Sequence, residues 1–402
     1  MPKQMVNDIA AQGPAGKSQR ILSFDIIRGF LLLVILVGHI ELPPNFYDFF
    51  TGRGRLFVSA AEGFFFLSGL LVGMVYRRRI SLGMKFIFKK MWTRAAELYV
   101  GGAALTLAYA FIIAKTNHFY IKAGLPNPVD WQHTIFQTLT LRFDYGWADF
   151  LGRFAILMIM APFVFYLISK GRWRWVLAGS IIAWLLRGQN FTLGWQIIFN
   201  GGMLMGFYWR ELSAKWQSLK RSTRKVIKRS VLTITAITFA YSYAVVYVLS
   251  ELNSHWNALS PSWHNFTLDW NGFNQYAWTY ADKWTMGPVR LILFFIWGSV
   301  MYAWVAQRED LINRRTRGVL LLIGQNSLFV YIFHSVIVFV FKYFIPAKTT
   351  GVQNFAIVSL ALAVLIGGTY FYRLARSRWP DVNIAYLYGL IFKKSRALFV
   401  AR

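Results

Sequence analysis

The stretch FDIIRGFLLLVILVGH, Phe24 to His39, is apolar enough to lie in a lipid bilayer, yet it carries Asp25, Arg28 and His39. Ionisable side chains at membrane depth are costly and usually face a protein interior or a water-filled cavity. At about 100° per residue, Arg28 and His39 sit roughly 20° apart around a helix axis and roughly 16 Å apart along it, with Asp25 within about 60° of both. The three are therefore expected to line one wall of a single cavity, with Arg28 towards one end and His39 towards the other. A structural Asp25–Arg28 ion pair is the plainer reading of the first two. A second run, SAAEGFFFLSGLLVGMVY, adds the carboxylate Glu62, with Gly69 and Gly73 placed for close helix packing. A third, NSLFVYIFHSV, adds Asn326, Ser327 and His334. Imidazole titrates near neutrality, as a general base must, so His39, His334 and Glu62 form a candidate proton-transfer cluster. A packing role for His334 is the alternative. Lys89, Lys90 and Arg94 stand before the third apolar run, with Arg77, Arg78 and Arg79 upstream. Together they suit a phosphate-rich ligand, though each alone reads as ordinary loop charge.

Such groups need membrane helices to position them. The chain of 402 residues is 56% hydrophobic and 18% aromatic, above what soluble domains carry. It reads as an all-α, polytopic integral membrane protein. Apolar runs long enough to span lie near 21–41, 56–76, 95–114, 150–169, 174–188, 193–209, 230–250, 287–305, 318–343 and 354–373. That gives about ten helices, the fifth short and the ninth interrupted by GQNS. The first run lacks a small-residue cleavage site and is read as a retained span rather than a signal peptide. Placing both termini in the cytoplasm puts 32 of the 44 Lys and Arg residues in inside segments, a strong positive-inside bias. The net charge of +28 thus reports topology and affinity for anionic lipid, not nucleic-acid binding. The absence of cysteine excludes thiolate metal sites and a cysteine nucleophile, and no other metal-ligand pattern occurs. The organisation is a polar tail over 1–20, one membrane domain over 21–373, and a basic tail over 374–402 with an interfacial helix expected in WPDVNIAYLYGLIFKKSR. A Trp-rich loop over 251–286 suits either a membrane interface or stacking on sugar rings.

These segments, in order, resemble the acyltransferase-3 superfamily and, within it, the OpgC-type branch of osmoregulated periplasmic glucan succinyltransferases. The opening Asp-x-x-Arg-Gly helix with a histidine downstream matches Asp25, Arg28 and His39. Glu62, Ser68 and Gly69 match the second helix. FIFKKMWTRAAELY resembles the basic entry to the third and carries Lys90, Arg94 and Tyr99. WADFLGRFAILMIMAPFVFYL brings Asp149 and Pro162, GWQIIFNGGMLMG brings Trp195 and Gln196, and IGQNSLFVYIFHS brings Asn326, Ser327 and His334. Gly152–Arg153–Phe154 departs from the more apolar continuation of the family pattern.

The resemblance implies a multi-pass enzyme of the bacterial inner membrane that moves a succinyl or acetyl group from cytoplasmic acyl-CoA to a hydroxyl of an extracytoplasmic glycan. His39 would be the general base, with Glu62 and His334 orienting or relaying and Arg28, held by Asp25, stabilising developing charge. Lys90, Arg94, Arg28 and Tyr99 would hold the CoA, and Asp149, Trp195, Gln196, Asn326 and Ser327 the substrates. No permanently bound cofactor is expected. A sugar transporter or exporter would also carry intramembrane charge, but it typically shows two related halves with broken helices, and no internal repeat is evident. An inactive scaffold built on the enzyme fold is the third possibility.

Overall fold

The computed structural model describes residues 21–119, 125–249, 279–345 and 349–378. The N-terminal tail, the interfacial helix expected after residue 378 and most of the Trp-rich loop lie outside them. The described residues form helices and no strands. The principal ones are α1 (Leu22–Ile40), α2 (Ala60–Arg77), α3 (Met84–Thr116), α4 (Trp131–Leu139), α5 (Asp149–Ser169), α6 (Trp173–Leu185), α7 (Phe191–Phe207), α8 (Trp209–Ser218) and α9 (Arg221–Tyr243). They are followed by α10 (Pro288–Ala306), α11 (Val319–Gln325), α12 (Ser327–Phe344) and α13 (Gly351–Arg378).

Among the described residues, eight helical segments are long and apolar enough to cross a membrane: α1, α2, α3, the segment ending in α5, α9 with its continuation to Tyr247, α10, α12 and α13. Of the remaining expected spans, α6 has 13 residues and α7 has 17. The protein is an all-α, multi-pass membrane protein. One boundary differs from expectation, and one expected interruption is met, each for a physical reason. The third helix begins at Met84, about three turns before residue 95, because lysine and arginine are good helix formers and carry the helix out past the apolar zone. The ninth run is two helices. Asn326 leaves helical geometry at φ −110°, ψ 30°, and its side-chain amide donates to Leu322 O at 2.8 Å, satisfying a carbonyl that the break would otherwise orphan.

Two glycine-mediated crossings fix the frame of the bundle. A Cβ on Gly29 would stand 2.0 Å from Leu320 O, and one on Gly324 would stand 1.9 Å from Asp25 O. Only glycine on both sides lets α1 and α11 approach this closely, and the approach brings Arg28 against the α11–α12 break. Gly69 on α2 packs in the same way on Phe199 O of α7, and Gly206 of α7 on Leu70 O of α2. Gly69 therefore serves packing.

Candidate active site

His39 and His334 meet where α1 crosses α12. His39 Nδ1 lies 2.9 Å from His334 Nε2, and His334 Nδ1 lies 2.6 Å from the carbonyl oxygen of Tyr331. A carbonyl can only accept, so His334 Nδ1 carries the proton and donates. With both rings neutral, His334 Nε2 is then an acceptor and His39 Nδ1 must donate to it. The chain of bonds leaves His39 Nε2 as the nitrogen bearing a lone pair. His334 is 1% exposed, whereas His39 is half-buried and lines a cavity of about 370 Å³. The pair is thus a buried orienting imidazole behind an accessible basic one.

That histidine cavity is also lined by Asp149, Arg153, Phe191, Trp195, Lys283 and Trp284. Trp195 stacks on Phe191 at 4.7 Å between ring centroids, and its indole N–H donates to Lys283 O at 3.0 Å. Arg153 pairs with Asp149 at 3.3 Å and lies 4.3 Å over the Phe191 ring. Just outside α5, burial and then the neighbouring Asp149 push the Asp144 carboxyl up to about 6, against the pull of Arg153. Burial also lowers the Lys283 ammonium, with Glu62 and Asp149 acting against that and Arg290 with it.

A second cleft, of about 400 Å³, is lined by Arg28, Tyr76, Lys90, Arg94, Glu97 and Ser327. It adjoins a mouth of about 390 Å³ formed by Arg28, Arg94, Asn326, Ser327, Tyr372 and Arg376. The Arg28 guanidinium donates to Ser327 Oγ at 3.2 Å and to Gly324 O at 3.3 Å, so its position follows from the glycine crossing and the helix break. Arg94 pairs with Glu97 at 3.0 Å. Four cations against one carboxylate make this basic cleft attractive to phosphate.

The same-face expectation for Arg28 and His39 holds with one correction: the face passes two cavities rather than one. Phe150 and Tyr331 line both, with ring centroids 4.5 Å apart and the planes tilted by 33°, and Phe64 is packed on each. These rings fill the space along α1 between the arginine and the histidine. Tyr331 also lies 4.6 Å from the His334 ring.

Other expected site residues fall elsewhere. Glu62 is not joined to the histidines. It is 0% exposed and pairs with Arg290 of α10, 1% exposed, at 2.5 Å. Its other oxygen accepts from Ser59 N and Oγ as a helix capping box. Arg290 is anchored further by Ala281 O and Leu56 O, so both partners are satisfied within the protein. Asp25 is buried beside the α1–α11 crossing. Tyr99 points to α4, donating to Leu139 O. Gln196 joins α7 to α6 through Ser180 O and accepts from Asn200; neither cavity includes it. Arg77 is engaged by Glu211 and Phe207 O.

Tyr331, Arg290 and Lys283 were not singled out from the sequence. Arg290 had a usable signal, a lone arginine in the first turn of an apolar span. Tyr331 had a weaker one, its position three residues before His334. Lys283 sits among aromatic loop residues and had none.

Neither a search of curated proteins nor one of solved structures finds a match for this chain. A family model described as "OpgC protein" matches residues 20–377, which takes in both cavities and the histidine pair. The protein belongs to the OpgC family.

Proposed function

We propose that the protein is a membrane O-acyltransferase that moves a short acyl group, succinyl or acetyl, from acyl-CoA to a hydroxyl of an extracytoplasmic carbohydrate. It would act in a bacterial inner membrane. The observation that carries this reading is a base-forming histidine pair at the junction of a cationic cleft and an aromatic cavity. Family membership supports the same reaction class.

In this reading CoA phosphates engage Arg28, Lys90, Arg94 and Arg376, and the pantetheine arm passes Phe150 and Tyr331 to bring the thioester beside His39. The sugar stacks on Trp284, an exposed ring on the cavity wall that offers the flat apolar face sugar rings favour. His39 Nε2 takes the proton of the attacking hydroxyl. The hydroxyl oxygen adds to the thioester carbonyl carbon, the C–S bond breaks as the tetrahedral intermediate collapses, and the departing CoA thiolate regains a proton from the imidazolium. His334, tied to the Tyr331 carbonyl, keeps His39 in the reactive tautomer and spreads the charge that develops on it.

The test uses the purified protein in lipid nanodiscs with labelled acyl-CoA and an oligoglucoside. Wild type is expected to place label on the sugar, and His39→Ala to reduce turnover by about 10²–10⁴-fold, the usual contribution of a general base. A folded His39→Ala variant with wild-type turnover would refute the assignment.

A further inference from the structure

The charged groups that line the histidine cavity are His39, Glu41, Asp149, Arg153 and Lys283. Asp149 is taken by Arg153 at 3.3 Å, and Glu41 by Lys342 at 3.0 Å. The nearby carboxylate Glu62 is taken by Arg290. Among the described residues no ion pair or hydrogen bond engages Lys283 Nζ. The ammonium lies beside Gly54, whose missing Cβ would stand 3.4 Å from Nζ, and both residues line the cavity. Its backbone is pinned by the Trp195 indole. Burial lowers its pKa and Glu62 and Asp149 only partly offset this, so an arriving anion would add counter-charge at close range.

We propose that Lys283 is the specificity-determining residue that binds the distal carboxylate of a dicarboxylic acyl group while His39 activates the acceptor. This rests on the acyltransferase reading above and deepens it. A carboxylate completes the ion pair in a low-dielectric site. A neutral acyl chain of the same length instead seals the cation against hydrocarbon, so the lysine selects for one donor and against the other. The anion is assigned to the acyl group because, in the reading above, the thioester stands beside His39, which lines the same cavity as Lys283.

The experiment compares succinyl-CoA with butyryl-CoA, a neutral donor of equal chain length, on an uncharged oligoglucoside in nanodiscs. Wild type is expected to prefer succinyl in kcat/KM by roughly 10- to 100-fold, the range for a hydrogen bond to a charged group. Lys283→Met should abolish that preference by lowering succinyl transfer while leaving butyryl transfer unchanged or faster. Lys283→Arg should restore part of it. An equal fall for both donors would make Lys283 structural and overturn the proposal. So would unchanged selectivity in Lys283→Met, or a shift in preference between anionic and neutral acceptors with the donor preference intact. Transfer from neither donor by wild type would overturn the acyltransferase reading and this inference with it.

Discussion

Two of the polar pairs between the described helices differ in how their bonds run. In the Glu62–Arg290 pair each carboxylate oxygen has a donor, and the guanidinium reaches two carbonyls besides. In the His39–His334 pair the bonds run one way, from His39 through His334 to the Tyr331 carbonyl, and the sequence of donors ends in a basic nitrogen on a cavity wall. A closed pair holds helices together. A directional pair holds an imidazole in one tautomer.

The largest expected effect would break the closed pair. Arg290→Met leaves a buried carboxylate without its cation and should cost about 3–5 kcal/mol of stability, read as a lower Tm in detergent. The double variant Glu62→Gln/Arg290→Met should recover part of that loss. A single variant as stable as wild type would show that the pair does not lock α2 to α10.

His334→Phe breaks the directional pair and should split the two readouts. Turnover is expected to fall roughly 10- to 100-fold, for one lost hydrogen bond to a charged group, with a smaller change in Tm than Arg290→Met gives. Parallel losses of stability and turnover would put the histidines in the same class as Glu62.

Asp144 stands between these cases, a partly buried carboxyl near Arg153 and the like charge of Asp149. Its folded-state pKa is raised to about 6. Its contribution to stability is therefore fully present below the unfolded value, near 4, and is lost as pH rises through 6. Asp144→Asn should raise Tm modestly at pH 8 and leave it unchanged at pH 4. A gain at pH 4 alone would reverse the sign of the argument.

Helical phase made much of the site legible. Arg28 and His39 do share a face of α1, because both belong to one uninterrupted helix whose geometry is local. The α11–α12 break was also readable from Gly324 to Ser327, since glycine and asparagine end helices for local reasons. The partner of Glu62 was not. Depth along a span says at what level a side chain lies, but not which of many helices faces it, and α10 rather than α12 supplies the countercharge. The aromatic layer of Phe64, Phe150 and Tyr331 was hidden for a related reason: in a chain this rich in aromatics, rings that divide cavities have the same pattern as rings that fill a core. Gln196 shows the converse, a polar residue on a matching motif whose hydrogen bonds run to its helix neighbours.

The central claim is that an acyl group passes from the basic cleft, past Tyr331, to an acceptor beside His39. It is tested most directly in sealed vesicles of uniform orientation, with labelled acyl-CoA confined to the side of the basic cleft and an impermeant oligoglucoside confined to the other. Wild type should label the sugar across the membrane, and His39→Ala should not. Labelling only when donor and acceptor share one compartment would contradict the account.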